Sequence, residues 1–371
     1  MSIGKVQIND LNLSQGEITA VENHLLFVGP GKGDKVGKLL TVNTDSDLSG
    51  VLAGADGLLA QVTAARDNGG QNWSASVMLY DAEGGGIASW SAAVDEAMEL
   101  AKVEGVVLTE PLSAVSDIEA MQAKSERIMA KYMRPVWFAG RAPAFDADSQ
   151  SWEEYATAIK PLTADVAADA CLVTPTIWGP ELGTLMGRLC NAAVTVADSP
   201  MRVATGALVG SWTERPADKS GRRLDMSVLE GLDKARFSVP QWYPDYEGMY
   251  WADGNVLDVN GGDFQVIENV RVIMKAMRRV YPLAVARIAD RRFNSTPASI
   301  AQNKTYFMRP LREMSRSVTI LGQTFPGEIY PPEDGDITVS WPSRTSVELY
   351  MAVRPYNCPK KITCNLFLDL N

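Results

Sequence analysis

From His24 to about position 210 the chain alternates short apolar runs with longer amphipathic ones, and nothing else in it restricts the fold so strongly. Leu25-Leu26-Phe27-Val28 is apolar at successive positions, so both faces of the strand it forms must be covered, and Gly29-Pro30 stops it. Equivalent runs fall at 73–80, 105–109, 135–140 and 170–174. Between them the spacing predicts helices over 56–67, 89–103, 115–132, 152–160 and 181–192, the first closed by Asn68-Gly69-Gly70. Strands that alternate with helices give an α/β layer structure with helices packed on a largely parallel sheet. The pattern does not fix strand order, and no internal repeat is visible.

Both ends of the chain depart from that rhythm. The first 22 residues hold two brief alternations, Val6 with Ile8 and Leu11 with Leu13, and read as an arm or edge strand. At the other end Asp336-Ile337-Thr338-Val339-Ser340-Trp341 and Ser346-Val347-Glu348-Leu349-Tyr350-Met351-Ala352-Val353 alternate with the period of half-buried strands. A last segment, 360–371, puts Ile362, Cys364, Leu366, Leu368 and Leu370 on one face. An apolar terminal strand must pair with its own sheet or with the sheet edge of another chain, because an unpaired one is an aggregation template.

A junction is expected in the turn-rich, aromatic stretch 211–263. Beyond it, a helix opening near Phe264 sets Val272, Ile273, Ala276, Met277 and Val280 on one arc and Arg271, Lys275, Arg278 and Arg279 on the opposite one. Pro282 is expected to kink or end this helix, with a second run continuing to Phe293. Thr296-Pro297 caps a third helix from Ala298, interrupted at Pro310. The resulting division is an N-terminal arm over 1–22, an outer α/β domain over 23–238, an inner domain of helices then strands over 239–359, and a C-terminal β arm over 360–371.

Charge is unevenly spread. Between Arg271 and Arg316 stand eleven basic and two acidic residues, a local +9 within a chain of net charge −10, which leaves −19 on the rest. The basic arc lacks the interleaved aromatics of a nucleic-acid surface, and an acidic protein partner is the preferred reading. Cys171, Cys190, Cys358 and Cys364 show neither Cys-x-x-Cys spacing nor disulfide density, and are expected to be reduced packing residues of a protein made in a cytosol. No signal-peptide progression opens the chain and no apolar run is long enough to span a membrane.

The motifs that carry chemistry are weak. Gly29-Pro30-Gly31-Lys32-Gly33-Asp34-Lys35-Val36-Gly37-Lys38 follows a strand but lacks the spacing and the hydroxyl of a phosphate loop. Asp45-Ser46-Asp47-Leu48-Ser49-Gly50 with Asp56 imitates a calcium loop, yet follows a strand and ends in Asp; a helix N-cap at Asp45 or Asp47 is the simpler reading. His24 is the only histidine and has no nucleophile elbow near it, so it is read as structural. No metal or cofactor set emerges.

The chain resembles the contractile tail sheath proteins of bacteriophages and related injection systems. Similar stretches are Gly4-Lys5-Val6-Gln7-Ile8-Asn9-Asp10, Leu26-Phe27-Val28-Gly29, Thr44-Asp45-Ser46-Asp47-Leu48, Asp67-Asn68-Gly69-Gly70, and the run from Gly262-Asp263-Phe264 through Val272-Ile273 with Phe293-Asn294-Ser295-Thr296-Pro297. It departs from the family at Arg292-Phe293 and in the thin glycine stretch at Leu321-Gly322. The resemblance implies an α+β core domain with an inserted α/β outer domain. It also implies a non-enzymatic virion tail subunit, made in the bacterial host cytoplasm, that polymerises with itself as stacked hexameric rings around a tail tube and contracts. Tail tube, baseplate and tail terminator proteins are the implied partners, with no nucleic acid and no cofactor. The arms would add strands to neighbouring subunits through Val6, Ile8, Leu11 and Leu13 at one end and Ile362, Cys364, Leu366, Leu368 and Leu370 at the other. The basic arc of Arg271, Lys275, Arg278 and Arg279 would face the tube. The alternative is an α/β enzyme, such as a carboxylate-dependent hydrolase, with a C-terminal β extension for dimerisation.

Overall fold

A computed structural model describes residues 21–81, 83, 86–212 and 214–367. The chain begins its sheet with β1 (Leu25–Gly31) and the edge strand β2 (Leu39–Asn43), then a short helix α1 (Leu48–Val51) and α2 (Asp56–Gly69). Strands and helices then alternate as expected: β3 (Ser74–Asp81), α3 (Gly86–Leu100), β4 (Gly105–Pro111), α4 (Val115–Tyr132), β5 (Trp137–Ala144), α5 (Trp152–Ile159), β6 (Ala168–Thr176) and α6 (Glu181–Leu189). After an irregular stretch come α7 (Met226–Lys234), the hairpin β7 (Pro240–Tyr243) and β8 (Tyr246–Trp251), and β9 (Val256–Leu257). The strands order as β2-β3-β1-β4-β5-β6-β9, parallel from β3 to β6, with β2 and β9 antiparallel at the two edges.

Period two sorts each strand between two cores. Leu26, Val28, Met78, Val106, Leu108 and Phe138 pack with Trp90 of α3, Ile118 and Ile128 of α4, Tyr155 of α5 and Leu229 of α7. Leu25, Phe27, Val77, Leu79, Val107 and Trp137 face the other way, against Leu58 and Val62 of α2 and Leu182 and Met186 of α6. The α2–α6 crossing is close because Gly183 and Gly187, one turn apart, have no side chain. A Cβ at Gly183 would lie 2.0 Å from the Gln61 carbonyl oxygen, and one at Gly187 2.3 Å from that of Ala65.

The α/β unit does not end near residue 238. β9 pairs with β6, and Trp251, Val256 and Leu257 are buried in the two cores, so the division expected at 238/239 cuts through the packed body. Next comes α8 (Ile267–Val285), which runs straight through Pro282, and α9 (Pro297–Met314), which runs through Pro310. A helix tolerates the missing donor where the neighbouring turn supplies other contacts; here the Ala286 amide still reaches the Pro282 carbonyl. The helical run expected to reach Phe293 is instead a series of turns, with Ala289 at φ 59°. Thr296 caps α9 as expected, accepting from the Ser299 amide.

Two small antiparallel sheets complete the chain. In β10 (Val318–Ile320) and β11 (Gln323–Phe325) the turn residues Leu321 and Gly322 both have positive φ, the type I′ geometry whose twist suits a two-residue hairpin. Among the described residues β12 (Ile337–Ser343) pairs only with β13 (Ser346–Met351). Phe293 of the turns, Phe307 of α9 and Ile337 of β12 make a separate cluster, and Val272 and Ala276 of α8 join Leu311, Met314 and Ile329 in another.

Candidate assembly surfaces around the long helix and the C-terminal segment

Doubly wound sheets bind ligands where the crossovers reverse, at the carboxyl ends of the strands. In this chain that point lies between β1 and β4, and its own carboxylates fill it. Glu110 of β4 accepts from the Tyr80 hydroxyl at 2.5 Å and from the Gly86 amide at the start of α3 at 3.3 Å. The hollow beside them is about 70 Å³. Two strands away, Glu181 at the start of α6 is buried and accepts from the amides of Ile177, Trp178 and Gly179. Burial pushes its carboxyl up, against the pull of those amides. Places where a doubly wound enzyme would receive an anion are thus occupied by side chains.

The remaining chemical candidates are structural. The His24 ring nitrogens lie 3.1 Å and 2.9 Å from the hydroxyls of Ser74 and Ser76 on β3, and burial lowers the ring's pKa. Asp47 caps α1, accepting from the Gly50 amide at 3.2 Å, and Lys35 of the glycine-rich loop donates to the carbonyls of Gly50 and Val51. No cluster able to hold a metal occurs among the described residues, and no helix among them is long and apolar enough to cross a membrane. Cys171 and Cys190 are buried packing thiols, that of Cys190 pushed up to about 12 by burial. Cys358 and Cys364 are exposed, contrary to the packing role expected of them.

The basic arc of α8 is not a free face. Arg271 is fully buried: its guanidinium meets Glu104, which directly precedes β4, at 2.7 Å and 3.0 Å, and also donates to the Leu189 carbonyl and the Asn23 side chain. Burial alone would raise the Glu104 carboxyl, but the charge and hydrogen bonds of Arg271 outweigh it and hold Glu104 below the ordinary value. Lys275 pairs with Glu328 at 2.5 Å, and Arg278 with Glu22 at 3.1 Å. Only Arg279 of the four makes no ion pair among the described residues. The wheel misread the helix because α8 is covered on more than one side. Ile267, Val270 and Met274 pack on the sheet body while Val272 and Ala276 pack on the C-terminal cluster, and Met277, placed on the apolar arc, is exposed. Exposed basic charge lies instead on and after α9, at Arg309, Arg312 and Arg316.

The C-terminal segment is anchored and then released. Pro355 bridges to Ile329, the rings of Tyr356 and Tyr330 stand 4.0 Å apart, and Lys360 pairs with Asp253 at 2.7 Å and Glu268 at 2.8 Å. Residues 361–367 then carry no ladder with any described residue, so the strand expected there is absent from the described part of the segment. Ile362 is 75 % exposed, Leu366 95 % and Phe367 93 %, and Cys364 is also exposed. Leu368 and Leu370, with Val6, Ile8, Leu11 and Leu13, lie outside the described residues. Sequence spacing could not point to Lys360, because its partners are 107 and 92 positions away and become neighbours only through the fold.

Comparison with known proteins places the family. Residues 3–255 match the family model described as DUF2586, N-terminal domain, and residues 263–371 match DUF2586, C-terminal domain. The chain is 45 % identical over 372 residues to the "Putative tail sheath protein" of Haemophilus phage HP1, covering 99 % of this chain and 98 % of that one. Among solved structures it is similar to the PVC sheath complex of an extracellular contractile injection system in the contracted state, with a TM-score of 0.64 at 11 % identity over 100 % and 98 % of the two chains. The contracted helical sheath of the anti-feeding prophage gives 0.58 at 14 % identity over 100 % of both. A sheath tail protein from Listeria innocua gives 0.57 at 7 % identity over 91 % and 93 %. Full-length identity to a phage sheath protein, together with a fold shared with contractile-system sheaths, establishes that the chain belongs to the tail sheath family.

Proposed function

We propose that this subunit polymerises with copies of itself as stacked hexameric rings around a tail tube, and that contraction of the resulting sheath drives the tube through a host envelope. The protein is structural, as its homologue is, and catalysis is not needed: the work comes from exchanging smaller intersubunit interfaces for larger ones. One observation carries the reading. Residues 361–367 present apolar side chains to solvent with no strand partner among the described residues, while the two-stranded β12–β13 sheet has both of its edges open among them. Strand addition to a second copy satisfies both surfaces at once. Each ladder hydrogen bond so formed contributes about 0.5–1.5 kcal/mol net.

The N-terminal alternation of Val6, Ile8, Leu11 and Leu13 is assigned the same role at the other end. The tube-facing surface is assigned to Arg279 with Arg312 and Arg316, since Arg271, Lys275 and Arg278 are engaged within the subunit and Arg309 pairs with Glu313. Baseplate and terminator proteins would cap the two ends of the stack, the finished sheath residing in the virion tail.

Negative-stain microscopy of the intact protein and of a variant lacking 361–371 tests this reading. The intact protein is expected to form tubes or rings, and the truncated one to remain a folded monomer with a melting temperature close to that of the parent chain. Polymers from the truncated protein, or a large drop in its melting temperature, would overturn the arm assignment. Changing Arg312 and Arg316 to Glu should leave tube-free polymers intact and abolish sheathing of tail tubes, and a normal yield of sheathed tails would remove these residues from the tube interface.

A further inference from the structure

The C-terminal segment changes character at a single residue. Upstream of Lys360 it is held by the Pro355–Ile329 bridge and the Tyr356–Tyr330 ring contact. Downstream, 361–367 makes no ladder and its apolar side chains stand in solvent. At the boundary the Lys360 ammonium lies 2.7 Å from both carboxylate oxygens of Asp253 and 2.8 Å from Glu268 Oε1. The two acids belong to different parts of the molecule. Asp253 is on the connection between β8 and β9, within the sheet body, and Glu268 is in the first turn of α8, itself buried. The other oxygen of Glu268 has no hydrogen-bond partner among the described residues, and Lys360 is the cation that compensates this buried carboxylate among them.

We propose that Lys360, Asp253 and Glu268 form a clasp that fixes the root of the C-terminal arm on the junction between the sheet body and α8, so that the arm pivots at Lys361. This rests on the arm reading above and adds where the arm begins. Its consequence is a length. Residues 361–371 span at most about 36–40 Å when extended, at roughly 3.3–3.6 Å per residue, so any edge on the neighbouring copy that pairs with these residues lies within that distance of Lys360. A pull on the arm is then transmitted to α8 and the sheet body together, instead of peeling 352–360 off the subunit. Loosening the clasp lengthens the free segment, and the additional residues must be ordered again at assembly.

The test uses the full-length protein with Lys360→Met, which keeps most of the aliphatic stem and removes the charge. Because that change leaves Glu268 buried and unpaired, the double variant Lys360→Met, Glu268→Gln is measured beside it. Assembly is read as the critical concentration for polymer formation, which should rise about tenfold or more in both variants, with melting temperature monitored to show that the subunit stays folded. A further variant, carrying Asp253→Asn and Glu268→Gln together, keeps Lys360 and is read by trypsin. The parent monomer should be cut after Lys361 and spared after Lys360, whereas the variant should be cut after both. Unchanged critical concentration in the double variant, or cleavage after Lys360 in the parent equal to that after Lys361, would overturn the clasp. The variant lacking 361–371 separates the two levels: if it still polymerises, the arm reading itself fails. If it stays monomeric while the Lys360 variants assemble like the parent chain, only the clasp fails.

Discussion

Arg271 shows how a residue's role is set by what covers it. A guanidinium with no exposed surface would be costly to bury alone, and its bidentate contact with Glu104, with further bonds to Leu189 and Asn23, is what makes the site tolerable. Removing one partner is more damaging than replacing both. Glu104→Gln is expected to destabilise the protein by about 3–5 kcal/mol, whereas Glu104→Leu with Arg271→Met should cost less. The pH dependence follows from the depressed Glu104 pKa. Its contribution is complete above the ordinary glutamate value of 4.5 and is lost as pH falls through the lower folded value. Urea unfolding of the parent and of Glu104→Gln at a series of pH values checks this: the difference between them should shrink in acid, and a gap that stays constant below that range would refute the assignment. Lys275 and Arg278 act similarly at smaller scale, each tying α8 to a different part of the chain, Glu328 on one side and Glu22 on the other.

At the scale of elements, the α2–α6 crossing illustrates a constraint that neither helix reveals alone. Gly183 and Gly187 have ordinary helical backbones, so conformational freedom is not why they are glycine. The reason is approach, since a methyl group at either would strike the backbone of α2. Gly187→Ala should therefore force the helices apart and destabilise by roughly 1–3 kcal/mol, the usual range for overpacking. Chemical denaturation reads this as a lower midpoint with an unchanged slope, and a neutral result would show that α2 can shift to make room. A contrary case is α8, whose length of about 28 Å, at 1.5 Å per residue, lets it contact the sheet body and the C-terminal cluster together. Its proline at 282 does not end it because the flanking turns are held from outside.

For the whole molecule, the question is which residues form an independent unit. A fragment spanning 23–238 lacks β9, the β7–β8 hairpin and α8, and so loses the fully buried Trp251 and Leu257 and the cover that Ile267 and Val270 give the sheet. It is expected to show no cooperative thermal transition, while a fragment spanning 21–285 should melt cooperatively. A cooperative, monomeric 23–238 fragment by calorimetry and sedimentation would restore the earlier boundary. The two cores are closed by their own helices, and the most exposed large apolar side chains among the described residues, Leu366 and Phe367, stand in the segment beyond Lys360.

Period and punctuation in the sequence were enough to determine the alternating strands and helices of the sheet body, the Thr296 cap, a cap at Asp45 or Asp47, the two strands β12 and β13 though not their pairing, and the membership suggested by short motifs near both ends. These are local quantities, written in the spacing of apolar residues over a few turns or a few strand positions. Only tertiary structure decided that β9 completes the sheet, that the charges of Arg271, Lys275 and Arg278 are spent on Glu104, Glu328 and Glu22, and that Lys360 finds Asp253 and Glu268. The physical reason is the same in each instance. An ion pair is created by two residues far apart in the chain arriving at one place, and helical periodicity reports only that a face is charged, without saying whether water or another element covers it. The apolar segment Ile362 to Phe367 lies at the limit of both: its sequence demands a partner, and no described residue supplies one.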